Sequence, residues 1–449
     1  MNAFSPNEIE FHPTSFCDGN GRLFFADGQL YRGIAEKRAQ FTRDLFAHGV
    51  VEELEAKRFI PRTELTDFSL PDYPLVLQHE RIPFVSYAFE WSPAMLREAA
   101  LFDLRYLRVL ARNHLTLGEV AAWNILFAGS EPRAVDFCDI IEAPEDQEAL
   151  WDVLDSQFRS YYQRPLELIA RGQGNLARLL QTDYEHGPIQ QEFEAAVAAP
   201  MAKTLRRGAN AIRRRTRAID GSRSRKIDAA DSYFMRKLKE CEARFSEFRF
   251  PSKRATKAIS AQAHDLLERE ISPASVLVIG GTEETVALLA RSRAAIVAID
   301  RDEERVDATY EWARRERANV LPLVVDLRYP APGYGVQNAV LTPALRRLRC
   351  ELVVALGLIE SLVFEQRLRF EQIAGTFAAL ASRRLIVDFP EVVRPFDDDY
   401  FRWFGLGQFV KALERHFASV RLEAPNLLVC EKTPSRKNSS SSARNWSRA

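Results

Sequence analysis

The run VLVIGGTEETVALLARSRAAIVAID (276–300) decides how the second half of this chain folds. It opens with VLVIG (276–280), a short β-branched run that stops on a glycine. TEETVALLARS, of helical composition, separates it from a second apolar run, AAIVAID (294–300), which stops on an aspartate. Strands with no polar alternation are buried on both faces, and such strands joined by helices make a parallel sheet. The pattern continues outward through DEERVDATYEWARRERA to LPLVVD (321–326), ELVVALGL (351–358) and RRLIVDF (383–389). Residues 256–433 therefore read as a doubly wound α/β domain.

The rest of the chain divides by composition. Residues 1–200 mix strand-like and helical runs and read as α+β. GRLFFADGQLYRGI sets Asp27-Gly28 between two strand-like runs, a hairpin with a type I′ turn. YPLVLQHERIPFVSYAF (73–89) is extended in character, and Pro93 to Arg112 has helical spacing. WNILF and RAVDF form a short hairpin around Gly129, and helices fill 145–200. Residues 201–255 read as a basic, mainly helical linker, and 434–449 as a disordered, Ser-rich tail with little to bury. Between Lys203 and Lys226 ten basic residues face one acidic residue, Asp220. No aromatic residues interleave them, so a solvated linker is favoured over a nucleic-acid site.

Over 449 residues, 62 Lys and Arg balance 62 Asp and Glu, which excludes a uniformly basic nucleic-acid coat. No apolar run reaches the ~18 residues of a membrane span, and no signal segment is visible at the start. The five cysteines are scattered without CxxC spacing, and the seven histidines show no metal-ligand spacing. The expectation is a cytoplasmic protein with reduced thiols and no metal centre.

In open α/β sheets ligands bind beyond the carboxyl ends of the strands. The first strand ends in Gly280-Gly281-Thr282, where a close backbone approach and helix-start N–H groups are available. Asp300, at the end of the second strand, is placed to accept from ribose hydroxyls, and Asp326, after the third, to reach an adenine edge. A dinucleotide fingerprint needs GxGxxG, whereas this loop reads GGTEET, with Glu283 and Glu284 where a pyrophosphate would lie. S-adenosylmethionine carries cations and no phosphate, so the charges favour it over NAD. The bland alternative makes Gly280 a tight turn and Asp300 a helix cap. Glu360, beyond a strand end, is the candidate general base.

This order of strands and motifs is similar to class I S-adenosylmethionine-dependent methyltransferases. More closely, GRLFFADGQLYRGI, YAFEWSPAMLREAALFDL, WNILF, VVAIDRDEERVDATY, VLPLVVDLRYPAP, VVALGLIESL and RRLIVDF resemble the NoeA family of rhizobial nodulation proteins. The resemblance implies a Rossmann-like methyltransferase domain, a two-part architecture and methyl transfer to a small-molecule or glycan acceptor. In some members that activity is connected with lipochitooligosaccharide nodulation signals. The chain departs from the pattern at Val278, where an acidic residue is usual, at Thr282 and Glu284 in place of glycines, and at Glu360-Ser361 in place of a histidine pair.

A second constellation lies in the first part. Glu119, Asn124 and Asp136 look like the catalytic hairpin of kinase-like folds, in which the Asn and the later Asp hold magnesium. Glu119 stands where an Asp is usual, and neither a glycine-rich phosphate loop nor a convincing strand lysine is present. The leading reading is a methyltransferase preceded by a kinase-like domain. Beside it stand a non-catalytic scaffold with a degenerate cofactor loop, and an active phosphotransferase.

Overall fold

Asp27 and Gly28 take φ of 49° and 76°, the double left-handed geometry of a type I′ turn. They join β2 (Gly21–Ala26) to β3 (Gln29–Ile34), with Ala26 opposite Gln29. This is a computed structural model, and it describes residues 2–3, 9–15, 18–182, 232–252, 259–269, 273–390 and 399–433. The hairpin is part of a five-stranded antiparallel sheet with β1 (Glu10–Phe11), β4 (Thr63–Leu65) and β5 (Leu75–His79), ordered β1-β2-β3-β5-β4. Helix α1 (Glu36–Ala47) follows β3. Within the extended stretch 73–89 only Leu75–His79 is strand.

Helix α2 (Pro93–Arg112) starts behind Ser92, whose Oγ accepts the Met95 N–H at 3.4 Å. Beyond it, β6 (Leu115–Leu117) pairs with β9 (Ile140–Glu142). β7 (Ile125–Ala128) and β8 (Glu131–Ala134) form the expected hairpin, with Gly129 at φ 62°. Helices α3 (Gln147–Phe158), α4 (Arg164–Ala170) and α5 (Gly174–Gln181) fill the described part of 145–200. The basic run 203–226 and the tail 434–449 lie outside the described residues.

Helix α6 (Tyr233–Ser246) and α7 (Ala261–Arg269) lead into the second sheet. Its first five strands are β10 (Ser275–Ile279), β11 (Ala295–Asp300), β12 (Val320–Val324), β13 (Cys350–Ala355) and β14 (Ala381–Asp388). Between them lie α8 (Glu283–Ala290), α9 (Glu303–Glu316) and α10 (Phe370–Leu380). After α11 (Leu406–Glu414) the chain adds β15 (Ser419–Ala424) and β16 (Leu427–Glu431). The seven strands run in the order β12-β11-β10-β13-β14-β16-β15. The five expected strands are parallel, and β16 is antiparallel to both its neighbours. This is the expected doubly wound, Rossmann-like fold. The chain turns back between β10 and β13, which creates a switch point.

The chain separates into two compact units. One comprises Met1–Met95, Ile125–Cys138 and Phe250–Ala449, and the other Leu96–Asn124 and Asp139–Arg249. Within the first unit the stretch 85–94 is stitched to the α/β part by buried polar contacts. Glu90 and Arg347, 4% and 3% exposed, form an ion pair. Arg347 also donates to the Val85 carbonyl at 2.8 Å and lies 4.6 Å from the Tyr87 ring centre. Tyr87 Oη accepts the Thr342 N–H at 2.8 Å, and Asp307 Oδ1 accepts the Ala94 N–H at 3.0 Å. Trp91 meets Phe127 edge-on at 5.1 Å, so its indole is core. In the second unit Trp151 packs on Phe234 and Phe158 on Phe245, while Tyr162 donates to buried Asp103 at 2.6 Å. Among the described residues no helix is long and apolar enough to cross a membrane.

Candidate cofactor-binding site

A cavity of about 630 Å³ opens at the switch point, beyond the carboxyl ends of β10, β11 and β13. Its floor is the turn after β10. Gly280 has φ 61°, and a Cβ there would lie 2.3 Å from Leu358 Cδ2. The left-handed φ favours glycine, and the Leu358 side chain would have to move to admit a Cβ. A Cβ on Gly281 would lie 2.3 Å from Val278 Cγ1, so the valine three residues earlier crowds that position. Thr282 caps α8 by accepting the Thr285 N–H at 3.2 Å.

Gly280, Thr282, Asp300 and Glu360 all line this one cavity. Asp300 has a side chain 15% exposed, and one oxygen accepts the Asp302 N–H at 2.9 Å. Burial raises its pKa, against the pull of that hydrogen bond and of Arg305. Glu360 is exposed on the turn that follows β13. Gly281 is not among the residues that line it.

Two groups of residues expected at the site lie outside the cavity lining. Asp326 does not line the cavity; its neighbours Val325 and Leu327 do. Its carboxylate is taken by the backbone N–H, Nε and Nη2 of Arg328, at 2.5–3.1 Å, and this pairing lowers its pKa. The pairing is local, two residues along the chain. Glu283 and Glu284 are also absent from the lining, and Glu283 instead lies 3.8 Å from Arg315. The charge argument survives on other residues. Asp300, Asp302, Glu360, Glu365 and Asp388 are five carboxylates in the lining, against the two guanidinium groups of Arg301 and Arg305.

Asp388 was not anticipated. It ends β14 as Asp300 ends β11, and the same strand-end rule would have found it. Its Oδ1 accepts the Gly357 N–H at 2.7 Å and so holds the loop after β13. Arg301 and Glu365 pair at 2.5 Å and join the loops after β11 and β13.

The residues of the second constellation are placed as follows. Asp136 accepts from Arg32 Nη1 at 3.1 Å. Arg32 lies on β3, 3% exposed, and also reaches Asp18 at 3.4 Å and the Val135 carbonyl at 3.1 Å. Asp18, Asp136 and Cys138 bring ligand-type atoms within 4.8 Å of one another. The guanidinium supplies the positive charge that the two carboxylates need, and burial pushes the Cys138 thiol up to about 11, leaving it neutral. Glu119 accepts from the Tyr161 hydroxyl at 3.5 Å, and the Asn124 N–H donates to the Ala121 carbonyl at 2.9 Å. Arg32 was missed because no lysine stands on that strand and its partner lies 104 residues away.

No known family model matches the chain. It is similar to nodulation protein NoeA of Rhizobium meliloti (strain 1021), 22% identical over 445 residues that cover 89% of this chain and 90% of that protein. Among solved structures it is similar to a TehB-like SAM-dependent methyltransferase from Corynebacterium glutamicum, at 14% identity and a TM-score of 0.29, covering 39% of this chain and 89% of that one. It is also similar to WbdD, a bifunctional kinase-methyltransferase, at 16% identity and a TM-score of 0.29, covering 39% of this chain and 42% of that one.

Proposed function

We propose that this protein transfers a methyl group from S-adenosylmethionine to a small-molecule or glycan acceptor, in the cytoplasm, through a module spanning 256–433. One observation carries the reading. The switch-point cavity is lined by five carboxylates against two guanidinium groups. Such a field attracts a sulfonium and an ammonium and repels a pyrophosphate. The residues present fit the cofactor. Asp300, oriented by the Asp302 N–H, would accept from ribose hydroxyls, Gly280 and Thr282 would give close backbone approach, and Ile279, Ile299 and Val325 would enclose the adenine.

When bound, the cofactor supplies an electrophilic methyl group. The protein's task is to hold an acceptor in line with it and exclude water. Glu360, exposed at the cavity rim, would take the proton that an acceptor hydroxyl gives up. The N-terminal module, 1–200, is read as kinase-like without phosphoryl transfer. The observation behind that reading is Arg32, which occupies Asp136 where a metal would need it. Residues 201–255 are read as a linker that does not bind nucleic acid. The similarity to a nodulation protein makes lipochitooligosaccharides one acceptor class to assay.

The test is transfer of labelled methyl from S-adenosylmethionine to candidate acceptors. Turnover is expected in the wild type, with kcat reduced about 10²–10⁴-fold in Glu360→Gln if proton transfer is part of the rate-limiting step. Cofactor binding without turnover on any acceptor would favour the scaffold alternative, for which the packed Val278–Gly281 loop is the supporting feature.

A further inference from the structure

Beside the cavity, on the same carboxyl-end side of the sheet, two arginines lie stacked on aromatic rings. Arg369 lies 4.4 Å from the Trp403 ring centre and 4.9 Å from that of Tyr400. Arg367 lies 5.2 Å from that of Phe401. Neither arginine pairs with a carboxylate among the described residues. Arg367 is exposed and Arg369 half-buried. The rings are continuous with the cavity wall, because Phe364, which lines it, meets Phe401 at 4.9 Å and Phe404 at 4.7 Å. Tyr400 is 49% exposed, and the enclosed Trp403 indole N–H meets no acceptor among the described residues.

Among the described side chains, the cavity lining is mostly acidic and the adjoining aromatic platform carries the two guanidinium groups. A stacked guanidinium keeps its in-plane N–H donors for a ligand and loses little freedom on binding one. Planar bidentate donors match a carboxylate or a phosphate. Arg58, Arg301 and Arg383 of this unit, by contrast, each pair with a carboxylate.

We infer that Arg367 and Arg369, with Tyr400 and Trp403, form the acceptor subsite, and that the acceptor is a small molecule bearing an oxyanion. This rests on the methyltransferase reading and narrows its substrate class. The oxyanion is the handle that holds the acceptor beside a cationic cofactor. The shared chemistry is a carboxylate or a phosphate.

The test uses the full chain with ¹⁵N-labelled tryptophan, whose six indoles are few enough to resolve, Trp403 being assigned from Trp403→Phe. The probes are glucuronate, glucose 6-phosphate and neutral glucose. Saturable movement of the Trp403 signal is expected with one or both anions and not with glucose, and whichever anion saturates at lower concentration identifies the source. Arg367→Gln/Arg369→Gln is expected to weaken this binding at least tenfold while its calorimetric titration with S-adenosylmethionine matches the wild type. Equal movement with glucose, no movement with either anion, or unchanged anion affinity in the double variant overturns the proposal. A wild type that takes the anions but not S-adenosylmethionine supports the anion site and overturns the methyltransferase reading instead.

Discussion

Gly280 shows how one residue commits the site. Its φ of 61° is costly for any residue with a Cβ, and the Leu358 side chain would have to move to admit one. An alanine in left-handed geometry costs about 1–2 kcal/mol before any clash. Gly280→Ala is therefore expected to lower the urea midpoint and weaken cofactor binding, and adding Leu358→Ala should recover the steric part only. Buried carboxyls set a pH dependence. Burial moves Asp103 from 3.8 to about 7 and Asp307 from 3.8 to about 6. Between the unfolded and folded values the native state binds more protons than the unfolded chain, so these two groups remove stability as pH rises from about 4 to about 7. His12 and His79, lowered by burial to about 4 and about 3, act in the opposite sense as pH rises towards 6.5. Asp103→Asn isolates one contribution: its gain in urea midpoint over the wild type should be larger at pH 8 than at pH 5, and an equal gain at both would contradict the assignment. At this scale the sequence showed the strand-end residues Gly280 and Asp300 because their positions follow from periodicity alone. It did not show where Asp326 or Glu283 pointed, since Arg328 and Arg315 capture them in three dimensions.

Among elements, the turn around Glu90 has the largest structural consequence. Ser92 followed by Pro93 is a helix-start pattern, and the cap is present. The turn's ties to Asp307 and Arg347 were not readable, because those partners lie 213 and 257 residues along the chain. Removing one partner of a buried ion pair typically costs about 3–5 kcal/mol, while an apolar replacement of both is far milder. Glu90→Ala should therefore lose roughly that much in denaturant unfolding, and Glu90→Leu/Arg347→Met should restore most of it. A loss below about 1 kcal/mol in Glu90→Ala would show that the pair is not buried as described. The five parallel strands were legible because fully buried strands are continuous apolar runs. β15 and β16 were not, since β15 is an edge strand with no buried side chain and its polar and charged residues break the apolar pattern.

At the scale of the whole molecule, Arg32 holds Asp136 in the N-terminal part, and carboxylates predominate in the switch-point cavity. Phosphoryl transfer depends on metal and lysine positioning, so magnesium-ATP should give no turnover. ATP turnover that Asp136→Ala abolishes would contradict this. The architecture of the second half was legible from alternation, whereas the packing of residues 1–95 with 250–449 was not, since it depends on contacts between distant segments. The central claim is that the switch-point cavity binds S-adenosylmethionine, and calorimetry on the wild type and Asp300→Ala tests it most directly. The account predicts saturable binding to the wild type, weakened at least tenfold in the variant, since each hydrogen bond to a charged group is worth about 1.5–3 kcal/mol. No binding to the wild type, or equal binding to both proteins, would contradict it.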